Sequence, residues 1–130
     1  MYITPHFRVE ELACPLNGAP PEELYENLER LCMQLEALRE HLGAPITVIS
    51  GYRSPEFNTK IGGARRSQHM QATASDIKVK GVEPRAVHRA ILRLIKEGRM
   101  EQGGLGLYET FVHYDVRGHK ARWYGKGVTP

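Results

Sequence analysis

Cysteine is scarce in this chain. Its 130 residues hold only Cys14 and Cys32. Their spacing is not that of a metal-binding pair, so they read either as buried thiols or as one disulfide. Long apolar runs are missing too. No stretch reaches the roughly 18 apolar residues that a membrane-spanning helix needs. Blocks of five or more basic residues do not occur, and 18 Lys and Arg against 15 Asp and Glu leave a net charge of only +3. That excess is too small and too dispersed for a nucleic-acid-binding protein, and a solvated basic surface accounts for it. The first residues show neither the basic n-region nor the apolar h-region of a secretory signal. There is no internal repeat and no linker, so residues 1–130 read as a single domain with one core, expected to be a monomer.

Against these absences stands a clear alternation of helical and strand patterns. Residues 1–20 read as an arm with a short helix near Val9–Ala13. Pro21, Glu22 and Glu23 carry the composition of a helix start. Leu24, Leu28, Leu31, Leu35, Leu38 and Leu42 follow at alternating intervals of four and three, one stripe on a helix that Gly43 ends. Pro45–Ser50 is rich in β-branched residues and reads as a strand. Ser54 and Pro55 open a short helix as N-cap and first-turn residue. Ala74–Val79 is a second strand. Pro84–Glu97 is a second amphipathic helix, with Val87, Ala90, Ile91, Leu94 and Ile95 on its core face. Gly103–Tyr108, Phe111–Val116 and Arg122–Tyr124 complete the strands, the last at an edge. The expected fold is α+β: a small, mostly antiparallel sheet with helices packed on one side.

Two segments carry the chemistry. The first runs Ser67-Gln68-His69-Met70-Gln71-Ala72-Thr73-Ala74-Ser75-Asp76, and the second Val112-His113-Tyr114-Asp115. His69, on a loop, suits a ligand that reaches into a cleft. Asp76 alternates with Ile77 and Val79 and therefore points away from the core face. His113 and Asp115 share one strand face, opposite Val112 and Tyr114. Two imidazoles and a carboxylate can converge on one metal ion, and three protein ligands leave a fourth position open for water, as in catalytic zinc sites.

With Ser50-Gly51-Tyr52-Arg53-Ser54 upstream, these segments resemble the zinc D-alanyl-D-alanine carboxypeptidases and their relatives, which include phage cell-wall endopeptidases and the hedgehog signalling domain. The resemblance covers roughly Ile46–Arg117. The opening Ile3-Thr4-Pro5-His6-Phe7 and Glu10-Glu11-Leu12 look like the start of small phage and bacterial members. The resemblance implies the hedgehog/DD-peptidase fold, a Zn2+ cofactor held by His69, Asp76 and His113, and a peptidoglycan stem peptide as substrate. It also implies hydrolysis of an amide bond by a metal-activated water, of carboxypeptidase or endopeptidase type. Cytoplasmic synthesis with action at the cell wall, by phage-type release or in a particle, is the matching expectation for location. A catalytically inactive, zinc-containing cell-wall or protein-binding module on the same fold is the alternative.

Two departures from the family pattern matter. Ala72 stands where the family usually has glycine. Thr110, three residues before His113, stands where many members carry an acidic base, and a threonine has no useful pKa for that work. Asp115 is the expected replacement, taking the proton of the zinc water. Its other reading is a carboxylate that orients a metal-bound histidine. Glu109 and His119 are lesser candidates for the base. Arg53 is the expected anchor of a substrate carboxylate, through its bidentate guanidinium. Ser67 is read either as a substrate contact or as a hydroxyl that holds the loop. Tyr52, Tyr108 and Trp123 read as packing residues.

Overall fold

The computed structural model describes residues 1–130. A two-stranded hairpin opens the chain, β1 (Tyr2–Thr4) and β2 (Phe7–Arg8), followed by a 3-10 turn over Val9–Leu12. The expected N-terminal arm is thus a hairpin plus one tight turn, which buries Phe7, Val9 and Leu12. Then come α1 (Tyr25–Leu42), β3 (Ile46–Ser50), α2 (Pro55–Lys60), β4 (Ala74–Val79) and α3 (Pro84–Lys96). The strands β5 (Gly104–Leu107), β6 (Val112–Asp115) and β7 (Ala121–Tyr124) close the chain. The helix expected from Pro21 begins as a 3-10 turn, Glu22–Leu24, and becomes α-helical only at Tyr25.

The main sheet has the order β3-β4-β6-β5-β7, with every pairing antiparallel except β5 with β7. The parallel edge pair is the one break in an otherwise antiparallel sheet. The fold class expected from the sequence, α+β, is the one observed.

Leu28, Leu31, Leu35 and Leu38 of α1 are buried, as are Val87, Ala90, Ile91 and Leu94 of α3. They meet Ile77, Leu105, Leu107, Val112 and Tyr114 in one core cluster. Each fully buried leucine contributes up to about 1.5–3 kcal/mol by removal of apolar surface from water. Gly43, at φ 63, caps α1 in the left-handed conformation. Ser54 accepts a hydrogen bond from the Phe57 amide and caps α2, as its position before Pro55 predicts. Cys14 and Cys32 are both buried free thiols; burial pushes the Cys32 thiol up to about 12. No helix is long and apolar enough to cross a membrane.

Alternation divides the sheet between two environments. Ile77, Leu105, Val112 and Tyr114 point toward the helices. Asp76, Gly106, His113 and Trp123 point to the opposite face. Register then lines those four up across the sheet: Asp76 pairs with His113, His113 with Gly106, and Gly106 with Trp123.

Candidate metal centre

Strand register brings Asp76 beside His113, and a 3-10 turn over Gln68–Gln71 delivers His69 to the same point. The turn is held from both ends. Ser67 Oγ accepts from the His69 amide at 3.2 Å, and Ala72 closes the turn at φ 58, the one non-glycine residue with positive φ. Left-handed backbone disfavours a Cβ, which gives the family's usual glycine at this position a steric reason. The His69 carbonyl accepts from the Arg53 amide at 3.0 Å and ties the turn to the end of β3.

His69 Nδ1 donates to the Gly51 carbonyl at 2.7 Å. That bond fixes the tautomer and leaves the Nε2 lone pair free, 3.4 Å from Asp76 Oδ2. His113 Nδ1 lies 3.0 Å from Asp76 Oδ1. One ligand atom from each of the three residues lies within 4.8 Å of the other two, and all three residues are buried. Tetrahedral zinc with bonds of about 2.0–2.2 Å sets its ligand atoms roughly 3.3 Å apart. The donor types and their spacing both fit that ion with small adjustments, and the cleft above leaves room for a fourth ligand.

The charges agree with the geometry. Burial works against ionisation of Asp76, yet the hydrogen bond from His113 and the neighbouring His69 imidazole outweigh it and hold the carboxyl well below the usual range. Burial likewise disfavours a charged His113, but Asp115 and Asp76 on either side raise its pKa above the ordinary imidazole value. A proton and a metal ion compete for the same Nδ1 lone pair.

Asp115 does not face the cleft. Its Oδ2 meets His113 Nε2 at 2.7 Å, on the side of the ring away from Asp76, and also accepts from Arg117 Nη2 at 2.8 Å. Its Oδ1 accepts from the Gly104 amide, the Arg117 amide and Arg117 Nε at 2.9–3.1 Å. The side chain is fully buried and both oxygens are occupied. Burial opposes the charge, but the bonds from His113 and Arg117 keep the carboxyl well below its usual range. The expectation that Asp115 takes a proton from water therefore meets a geometric objection: a whole imidazole separates it from the donor triad. The arrangement matches its other reading, a carboxylate orienting a metal-binding histidine.

The lesser candidates lie elsewhere. Glu109 is exposed beside Gly127, in a depression shared with Glu83 and Arg85. His119 is exposed and outside the cleft lining. The cleft itself, about 500 Å³, is floored by His69, Asp76 and His113 and rimmed by Arg53, Arg66, Arg117, Tyr108, Phe111 and Trp123. Arg53 Nη2 donates to Asp76 Oδ2 at 3.3 Å, and its Nε to Ser50 Oγ at 3.2 Å. It braces a donor carboxylate as well as lining the cleft. Ser67, also in the lining, spends an acceptor lone pair on the turn that carries His69.

Alternation alone shows none of the aromatic architecture. Trp123 lies 4.9 Å from the His113 ring between centroids, and its indole N–H donates to the Tyr108 hydroxyl at 2.8 Å. The signal available in the sequence was Gly106, whose missing side chain lets the indole of β7 lie across β5 to reach β6.

A buried set of two imidazoles and one carboxylate at the floor of an open, arginine-rimmed cleft could hold a single metal ion. The chain belongs to the peptidase M15 family, whose model matches residues 5–115. The peptidoglycan L,D-endopeptidase MepK of Escherichia coli (strain K12) is 34% identical over 92 residues, covering 64% of this chain and 47% of that protein. The MepK of Shigella flexneri gives the same figures. The zinc D-Ala-D-Ala carboxypeptidase of Streptomyces albus G is 44% identical over 45 residues, 34% of this chain and 18% of that protein. The chain spans less than half the length of these curated relatives.

Proposed function

We propose that this chain is a zinc-dependent peptidase that hydrolyses an amide bond in peptidoglycan stem peptides at the cell wall. The observation that carries the reading is the convergence of His69 Nε2, the Asp76 carboxylate and His113 Nδ1 within 4.8 Å at the floor of a cleft. Membership of a peptidase family and relatives named for peptidoglycan and D-Ala-D-Ala cleavage support it.

When bound, zinc polarises a carbonyl and lowers the pKa of water to about 7. The protein's share is to fix and to bind. Gly51 and Asp115 each hold a histidine in the tautomer that presents the other nitrogen to the ion. Arg53 steadies Asp76 through Nη2, and its Nη1, without a protein partner, is available to a substrate carboxylate. Arg66, exposed at the rim, adds positive charge for an anionic stem peptide. Ser67 holds the His69 turn and keeps its own hydroxyl hydrogen for a substrate carbonyl.

A second reading is favoured by one specific observation: no carboxylate other than Asp76 lines the cleft, so no side chain is in place as a dedicated base. On that reading the chain is a zinc-containing module that binds cell wall or protein without cutting.

The test is incubation of the purified zinc-loaded chain with muropeptides released by a muramidase, with and without chelator and with zinc restored. Products are read by mass spectrometry. Chelator-sensitive cleavage supports the peptidase. Loss of one terminal alanine identifies a carboxypeptidase, and separation of cross-linked dimers or internal cuts identifies an endopeptidase. A chain that holds one zinc, cuts nothing and sediments with intact sacculi is the binding module.

A further inference from the structure

We infer that the Tyr108 hydroxyl is a catalytic hydrogen-bond donor, placed to stabilise the carbonyl oxygen of the scissile amide as it gains negative charge. The inference rests on the hydrolytic reading above and deepens it.

The hydroxyl has a defined partner on one side only. The indole N–H of Trp123 is purely a donor, so its 2.8 Å bond to Tyr108 Oη uses an oxygen lone pair. The phenol's own hydrogen has no acceptor within the protein, and Tyr108 lines the same cleft as His69, Asp76 and His113. A donor pointing at water gains little. A donor pointing at an oxygen that becomes negative in a partly enclosed cleft gains much more, provided it is already in place.

It is held in place by several independent contacts. The Tyr108 ring stacks on Phe111, with centroids 4.4 Å apart and planes within 10°. The Trp123 ring, which carries the orienting N–H, packs against His113, and the Arg117 guanidinium sits 5.3 Å from the Trp123 centroid. The backbone is shaped around this pair. A Cβ at Gly106 would lie 2.3 Å from Trp123 Nε1, and a Cβ at Gly125 would lie 2.3 Å from Tyr108 Cδ2. Two glycines on separate segments thus clear space for one hydrogen-bonded dyad. The dyad is one indole away from the donor triad. The oxygen gains charge when water adds to the amide carbon. The phenol keeps its proton throughout and lends only the hydrogen bond, and the proton that the leaving nitrogen needs comes from the added water.

Tyr108→Phe, which keeps the ring and its stack, is compared with wild type on the muropeptides of the functional test and on a phosphinate isostere of the bond that wild type cuts. We expect kcat to fall about 10²-fold with KM nearly unchanged. Zinc content should hold at the wild-type value. Affinity for the phosphinate should fall by the same factor as kcat/KM, which a merely structural role would not produce. Trp123→Phe keeps a ring on His113 but removes the orienting N–H. It should lose a smaller part of kcat, and it provides the test if Tyr108→Phe does not fold. A Tyr108→Phe variant within about threefold of wild type in both kcat and phosphinate affinity overturns the inference alone. A wild type that binds one zinc yet cuts no muropeptide overturns it together with the peptidase reading.

Discussion

The two faces of the five-stranded sheet are built by opposite rules. The face toward α1 and α3 is filled: Ile77, Leu105, Leu107, Val112 and Tyr114 interlock with leucines and isoleucines, and nearly all are inaccessible to solvent. The other face is sparing. Ala74, Gly104 and Gly106 contribute almost no side-chain volume, and the space they leave is taken by Asp76, His113, Asp115 and Trp123. One face gains from burial of apolar area. The other places charges where burial is costly and offsets that cost with opposite charges and hydrogen bonds. A site that costs stability is thus carried on a sheet whose back supplies it.

If that division is right, substitutions on the two faces should fail in different ways. The largest effect is expected for His113→Ala, which should remove bound zinc, measured by elemental analysis after dialysis, while the far-ultraviolet spectrum stays native. Equal zinc in variant and wild type would remove His113 from the ligand set. On the helix face, Leu94→Ala should cost about 2–5 kcal/mol in denaturant unfolding through lost burial and the cavity left behind. Its zinc stoichiometry should remain at the wild-type value. A Leu94 variant of wild-type stability, or one that loses zinc while folded, would break the comparison.

Asp115→Asn sharpens it. Asp115 lies on the site face but touches no substrate space, so its loss should weaken zinc affinity by about 10–100-fold. Saturating zinc should return turnover to near the wild-type value. A deficit of 10²–10⁴-fold in kcat that persists at saturating zinc would restore Asp115 as the general base.

The smallest effect is a pH dependence confined to the metal-free chain. His113 is held above the ordinary imidazole value by its two carboxylates. A raised folded pKa contributes stability that is fully present below about pH 6.5, the unfolded value, and is lost as pH rises through the folded value. The thermal midpoint of the chelated chain should therefore decline from about pH 6.5 upward. The zinc-loaded chain should not follow, because Nδ1 then carries no proton to lose. A chelated chain that grows more stable with rising pH would contradict the His113 environment described here.

Much of the frame was legible in residue spacing. The leucine stripe of α1, the Ser54 cap and the alternation that sets Asp76, His113 and Asp115 on one face all depend on local periodicity, and local periodicity is what a sequence displays. The convergence of His69, Asp76 and His113 was legible because their spacing is carried by one turn and two adjacent strands. What failed to show depends on distant partners. Alternation puts His113 and Asp115 on the same face, but it cannot say which imidazole nitrogen meets Asp115. That is decided by Arg117 folding back and by the Gly104 amide of β5. Glu109 alternates in step with His113 yet falls outside the strand, in the turn after β5, and leaves the cleft. The parallel pairing of β7 with β5 brings Trp123 over Gly106, a contact between positions 17 residues apart that neither segment announces. Ala72 was legible as a departure from the family pattern, and its left-handed φ is the reason that glycine is usual there.

X-ray absorption at the zinc edge of the loaded chain reads the identity of the three donors without an intermediary. We expect a shell of nitrogen and oxygen only, at about 2.0–2.2 Å, with two imidazole signatures and one further light atom beyond the carboxylate. In His113→Ala with zinc forced in by excess metal, one imidazole signature should disappear. A sulfur shell at about 2.3 Å, which only a site recruiting Cys14, Cys32 or a methionine could produce, would contradict it.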